Sequence, residues 1–159
     1  MEIGNQPCYL PAHDTVRMPR ANQFYCQEDW AATYLHGLAH ATGHHDRMSR
    51  PQCFARLGSE LYAKEELRAE LASAMLCGQI GLSMGQSHID SHAAYVSSWL
   101  DALRRDKREI FKAAADAKRI CDYLGHWMPE PTLVAGGYEV SSAESSMAAP
   151  VPQRLARSP

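Results

Sequence analysis

The chain has 159 residues, 45% of them hydrophobic, with a formal net charge of -2 at pH 7 and a sequence pI of about 6.4. That is enough for one domain with a proper core and too little for two full ones. The near-neutral balance argues against adhesion to nucleic acid through bulk positive charge. No apolar run reaches the ~18 residues of a membrane span, and the N-terminus lacks the basic-then-apolar pattern of a secretory signal.

Residues 1–19 carry turn signals and short extended pieces. Tyr9-Leu10 runs into Pro11, and Thr15-Val16-Arg17-Met18 alternates and stops at Pro19, so the two read as a hairpin around an Ala-His-Asp turn. Residues 28–42 read as a helix, with Glu28 and Asp29 in a first turn where acidic groups suit the dipole and Gly43 as its stop. Residues 43–58 are polar, with one Pro and two Gly, and read as a loop. Ser59 is a good N-cap for a second helix over 60–77. A third helix is expected over 87–100 and a fourth over 105–125, the fourth starting in a charged stretch. From Met128 onward the chain is rich in Pro, Ser, Ala and Gly without periodicity, the composition of a disordered tail over 128–159. The expected organisation is one α+β domain over 1–127, a short sheet and four helices, followed by that tail.

Five cysteines, at positions 8, 26, 53, 77 and 121, are odd in number and never form a CxxC pair. This favours reduced thiols in a cytoplasmic protein over a disulfide framework or a Cys-rich zinc site. Histidine is the surplus residue type, and four of the eight fall within residues 36–45.

The sharpest feature is His36-Gly37-Leu38-Ala39-His40. Residues i and i+4 of a helix lie about 40° apart on one face, so two imidazoles at this spacing can grip one metal ion. Two histidines four apart also arise by chance, and a metal site needs a further protein ligand. Winding the second helix at about 100° per residue groups Lys64, Glu65 and Arg68 on one side with Ala72 and Met75. Tyr62, Ala63, Ala69, Ser73, Ala74 and Cys77 fall opposite, with Glu66 and Glu70 among them. Carboxylates on an inward face require a cation or strong donors, whereas Glu65 reads as a solvated charge. Glu66 is therefore assigned to the metal. Glu70, one turn away, is assigned to accept the other N–H of a ligand histidine; the reverse assignment stays open. Zinc or another divalent ion suits two imidazoles and a carboxylate.

Tyr34-Leu35-His36-x-Leu38-Ala39-His40-x-Thr42-Gly43-His44 resembles the zincin-like metallopeptidase domain of ArdC-type antirestriction and polyvalent proteins of plasmids and phages. So do Tyr9-x-Pro11-x-x-Asp14-x-Val16-x-Met18-Pro19 and Ser59-Glu60-x-Tyr62-Ala63-Lys64-Glu65-Glu66-Leu67-x-Ala69-Glu70. Matching stretches continue at His92–Leu100 and Asp106–Ala114, so the resemblance covers about residues 4–125. It implies a small curved sheet packed on a helix bearing the HExxH motif, and a second helix bearing the carboxylate ligand. The downstream glutamate is also similar to that of ImmA/IrrE-like metalloproteases. Zinc or a similar ion would be held by His36, His40 and Glu66. The resemblance further implies protection of incoming mobile DNA from restriction, a protein or peptide substrate or partner, and pairing of an extended peptide with Thr15–Met18 as an edge strand.

Two departures stand out. Position 37 is Gly where the motif has the glutamate that acts as general base. Loss of a general base costs on the order of 10²–10⁴ in rate, so a metal site with impaired or no peptidase activity is expected. His44, one turn further on, and then Glu70 are the candidates to substitute. Secondly, the family's DNA-binding portion would lie upstream of Met1. These residues therefore read as an N-terminally truncated member of which DNA binding is not expected. A non-catalytic protein-binding module on the same fold is the alternative.

Overall fold

The structure is a computed structural model and describes residues 1–82, 99–101 and 103–127. A three-stranded sheet opens the chain: β1 (Glu2–Ile3), β2 (Cys8–Leu10) and β3 (Thr15–Met18), in the order β1-β3-β2. β2 and β3 pair antiparallel with Tyr9 opposite Val16, which is the expected hairpin, and β1 adds in parallel on the other side of β3. The hairpin turns through one 3-10 turn, Pro11–His13, into Asp14, whose φ of 47° lies in the left-handed region. An Asp tolerates that region better than most residues. β3 alternates: Val16 and Met18 are buried while Thr15 and Arg17 are half-buried on the other face. β3 is thus the central strand, so the expectation that Thr15–Met18 forms an edge is corrected. Its two neighbours take up its backbone groups, and β2 and β1 are the edges.

α1 runs Gln27–Ala41 and α2 runs Glu60–Gln79, close to their expected bounds. The Cys26 thiol accepts from the Asp29 N–H at the start of α1, and the Ser59 hydroxyl accepts from the Tyr62 N–H at the start of α2. Both satisfy helix donors that would otherwise lack partners. A third helix, α3, runs Glu109–Gly125, and residues 99–101 and 103–105 are helical too. α3 begins four residues later than expected because the Asp106 side chain accepts from the Arg108 N–H, an alternative to a continuous helix through 106–108. The helix expected over 87–100 lies mostly outside the described residues, and the tail over 128–159 lies wholly outside them. No helix among the described residues is long and apolar enough to cross a membrane.

α2 packs against both α1 and α3. The contacts are built around small residues, Ala32 and Ala39 from α1, Ala69, Ala72 and Cys77 from α2, and Ala117 and Cys121 from α3, with Leu35, Leu76 and Ile120 packed among them. Alanine at helix contacts lets axes approach towards the near end of the usual ~8–10 Å range. That closeness allows a side chain of α1 to touch one of α2.

Because α3 covers it, Arg68 is buried although it falls on the side of α2 that reads as polar. Arg68 is 3% exposed; its Nη2 lies 2.8 Å from Glu109 and its Nε donates to Asp116 at 2.7 Å. Breaking such a buried pair leaves an uncompensated ion and costs about 3–5 kcal/mol. Arg68→Met is expected to lower the urea-unfolding free energy by about 3 kcal/mol, with part of the loss recovered by adding Glu109→Leu.

Candidate metal centre

His36 and His40 project from one face of α1 towards α2, and their rings meet edge-on with centroids 4.7 Å apart. The two Nε2 atoms are 3.0 Å apart. Glu66 reaches both from α2: Oε2 lies 3.5 Å from His36 Nε2, and Oε1 lies 3.4 Å from His40 Nε2. The three residues form a cluster whose ligand atoms all lie within 4.8 Å of one another.

Glu70 lies one turn further along α2, with its Oε2 3.2 Å from His36 Nδ1. Two carboxylates thus act on one imidazole. Burial alone would lower the His36 pKa, but Glu66 and Glu70 outweigh it and raise it to about 9. Burial likewise opposes ionisation of Glu66, yet His36 and His40 hold its carboxyl well below the usual range.

Glu65 is not the solvated charge expected of it. It is 2% exposed, its Oε1 lies 3.3 Å from His40 Nδ1, and it pairs with the buried Arg50 at 2.6 Å. Burial opposes its ionisation, but His40 and Arg50 hold its pKa down. Adjacent residues on a helix point about 100° apart, so Glu65 and Glu66 can both be buried only where the helix is covered on more than one side. Arg50 sits in the loop after α1 and gave no signal in the sequence. One clue was present for Glu65: its supposedly wet side also carried Ala72.

His44 does not join this centre. Its Nδ1 accepts from the Asp46 N–H at 3.4 Å and lies 3.5 Å from the Asp46 carboxylate, and its ring lies 3.9 Å from that of His45. The chain turns immediately after α1, which carries His44 into a separate cluster with His45 and Asp46. The expectation that it supports the metal or replaces the base is therefore corrected.

A cavity of about 660 Å³ opens onto the centre. His36, Gly37, His40, Glu65 and Glu66 line it, together with Tyr9 and Val16 from the sheet, Phe24 and Tyr25 before α1, and Leu57 and Tyr62 around the start of α2. Glu70 is not among the lining residues and sits behind His36. Tyr9 is fixed by donating to Asp14 at 2.8 Å, and Arg47, after α1, donates to the same carboxylate at 3.0 Å. This strap ties the hairpin to the C-terminal end of the site helix.

Residues 1–116 match the zincin-like metallopeptidase family MPTase-PolyVal. The chain belongs to that family. It is 46% identical over 116 residues to the DNA primase TraC of Escherichia coli, a match covering 73% of this chain and 11% of the relative. It is 44% identical over 124 residues to protein y4eC of Sinorhizobium fredii, covering 76% of this chain and 38% of the relative. Among solved structures it is similar to the antirestriction protein ArdC from plasmid R388, at 39% identity and 79% coverage of this chain. The TM-scores are 0.67 to the metal-free form, covering 44% of it, and 0.69 to the Mn(II)-bound form, covering 46%. The fold is thus that of a zincin-like domain, and the chain spans less than half the length of each of these proteins.

The zincin helix lacks its glutamate at position 37, and the structure shows what the glycine does there. A Cβ on Gly37 would lie 2.8 Å from Val16 Cγ1, so the glycine lets β3 approach the backbone of α1. Gly→Ala in an open helix gains about 1 kcal/mol, while overpacking a tight contact costs about 1–3 kcal/mol. Val is stiff at χ1 and cannot swing aside cheaply, so the cost is expected to win. Gly37→Ala should lower the unfolding free energy, and Val16→Ala in the same chain should reverse the sign of that effect. A double-mutant cycle by urea unfolding checks it; stabilisation by Gly37→Ala alone would refute the close contact.

Proposed function

We propose that this domain holds one divalent metal ion, zinc by preference, on His36, His40 and Glu66, and that Gly37 leaves it with little or no peptidase activity. The observation that carries the reading is the meeting on a cavity wall of two imidazole nitrogens 3.0 Å apart with the two oxygens of one carboxylate, one 3.5 Å from His36 Nε2 and the other 3.4 Å from His40 Nε2. Ligand atoms about 2.0–2.1 Å from a tetrahedral zinc are separated by roughly 3.3 Å, so the spacing fits the ion. The donor set fits as well: two imidazoles and one carboxylate with a remaining open position is a catalytic-type zinc set, and the Mn(II)-bound ArdC supports a divalent ion in general.

When bound, such an ion supplies Lewis acidity towards a carbonyl and a water. The residues of the chain do the rest. The Glu70 carboxylate, 3.2 Å from His36 Nδ1, would keep a proton on that nitrogen, so that the proton lost on metal uptake is the one on Nε2, whose lone pair then faces inward. Tyr9, Phe24, Leu57 and Tyr62 wall the cavity and limit water around a bound segment. Gly37 has no group to take a proton, and that step is where activity is lost. By its relationship to ArdC, the role proposed is protection of incoming mobile DNA in the cytoplasm, through a protein or peptide partner. A second reading, a binding module with a structural metal, is favoured by Gly37 and by Tyr25 and Leu57, which are exposed beside the cavity.

Elemental analysis of the purified chain is expected to find one metal ion per molecule. His36→Ala and Glu66→Ala should lower occupancy and melting temperature together. With casein as substrate, the unmodified chain is expected to show no cleavage. Gly37→Glu combined with Val16→Ala should gain it by about 10²–10⁴. Cleavage by the unmodified chain would overturn the inactive part of the reading, and no gain in the variant would favour the binding module.

Metal uptake should also be coupled to protons. The His36 pKa is raised from 6.5 to about 9 in the metal-free chain, so at pH 7 the folded chain carries an imidazolium there. Its contribution to metal-free stability is full below 6.5 and is lost as pH rises through about 9. A metal must displace that proton. About one proton should be released per ion at pH 7, with affinity rising towards pH 9, as calorimetry in buffers of different ionisation enthalpy will show.

A further inference from the structure

We infer that Glu65, clamped by Arg50, is a positioning residue for His40: it fixes the ring so that Nε2, and not Nδ1, is presented to the centre. The inference rests on the reading of His36, His40 and Glu66 as a metal site and adds an element to it.

The Glu65 carboxylate is held by a two-pronged grip, with Arg50 Nε donating to Oε2 at 3.1 Å and Nη2 to Oε1 at 2.6 Å. Paired charge-assisted bonds of this kind fix orientation as well as distance. Arg50 is itself anchored on the last turn of α1: Nη2 also donates to the Ala39 carbonyl at 2.8 Å, and Nη1 to the Thr42 hydroxyl at 2.7 Å. Both residues are buried. The carboxylate therefore has a fixed place relative to the helix turn that carries His40.

From that place Oε1 lies 3.3 Å from His40 Nδ1. An ionised carboxylate only accepts hydrogen bonds. The contact is therefore a bond only when Nδ1 carries the proton, and a neutral ring then keeps its lone pair on Nε2. Nε2 is the atom that faces His36 Nε2 and Glu66 Oε1. Arg50 has a second effect: its charge cancels that of Glu65, so the ring is oriented without a further net negative charge beside Glu66. His36 and His40 are thus each backed by a carboxylate of α2, Glu70 behind one and Glu65 behind the other.

A purely structural clamp between the loop and α2 would use the same bonds, so the test must separate the two roles. Zn(II) and Co(II) are titrated into the metal-stripped full chain, with melting temperature recorded before metal addition. Glu65→Gln keeps the shape but offers a weaker acceptor. It is expected to lower Zn(II) affinity ten- to a hundred-fold and to change the visible spectrum of the Co(II) form. Arg50→Met/Glu65→Leu removes both charges and leaves no lone buried ion. It should fold and show an equal or larger loss of affinity, and it decides the matter if Glu65→Gln fails to fold. Arg68→Met, which breaks the network at α3, should lower the melting temperature with affinity and spectrum unchanged. Wild-type affinity and spectrum in both Glu65 variants, alongside lost binding in Glu66→Gln, would overturn the positioning role while the metal reading stands. No metal binding by the unmodified chain, or full binding by Glu66→Gln, would instead sink the metal reading and this inference with it.

Discussion

Three carboxylates and two imidazoles sit between α1 and α2, and the need to balance their charge organises the rest of the domain. An uncompensated buried ion costs several kcal/mol, a large part of the net stability of a domain this size. Glu65 is balanced by Arg50. Glu66 and Glu70 face His36, whose raised pKa makes it the cation of the metal-free state. A divalent ion would take over that role from the proton. On the proposed metal reading, proton and metal would exchange against a fixed set of acids, and folding and ligation would be coupled through the same groups.

Getting those groups together depends on small residues. Ala32 and Ala39 on α1, and Ala69 and Ala72 on α2, are fully buried and belong to the same core cluster. Larger side chains would push the axes apart, and Glu66 would no longer reach both rings. Gly37 extends the same logic to the sheet side of α1, where Val16 occupies the space a Cβ would need. The residue that removes the usual general base is also one that sets the strand-to-helix distance. Restoring a carboxylate there is a packing problem as well as a chemical one.

Much of this was legible in the sequence because it is periodic. The histidines four apart define a face, α1 carries acidic residues in its first turn, α2 carries its Ser59 cap, and Glu66 and Glu70 fall on the inward side of α2. What escaped depends on tertiary cover. The other side of α2 looks polar in a helical projection, yet α3 lies on it and supplies Glu109 and Asp116 to Arg68. Arg50 lies in a stretch that reads as a polar loop, and no local pattern marks a loop arginine as buried. The position of His44 depended on where the helix ends. One more helical turn would have stacked it under His40, but the chain bends away after Ala41. The strand order was hidden for a similar reason: β1 is only two residues long, and its parallel pairing turned β3 from an edge into the centre.

The site is also compact along the chain. Its candidate ligands and their supporting acids all lie between His36 and Glu70, and the matched family segment is residues 1–116. That segment recurs in proteins of very different size, since the relatives are covered to 11% in one case and 38% in another. In this chain the centre is held by supports of its own. The Arg50–Glu65 clamp, the Asp14–Arg47 strap and the α1–α2 alanines Ala32, Ala39, Ala69 and Ala72 all lie inside the segment. Geometry at His36 and His40 is then set by these local constraints, whatever chain surrounds them. Between the two rings, the one α1 position among the described residues that lines the cavity is Gly37, so the chemistry open to the centre turns on that side chain.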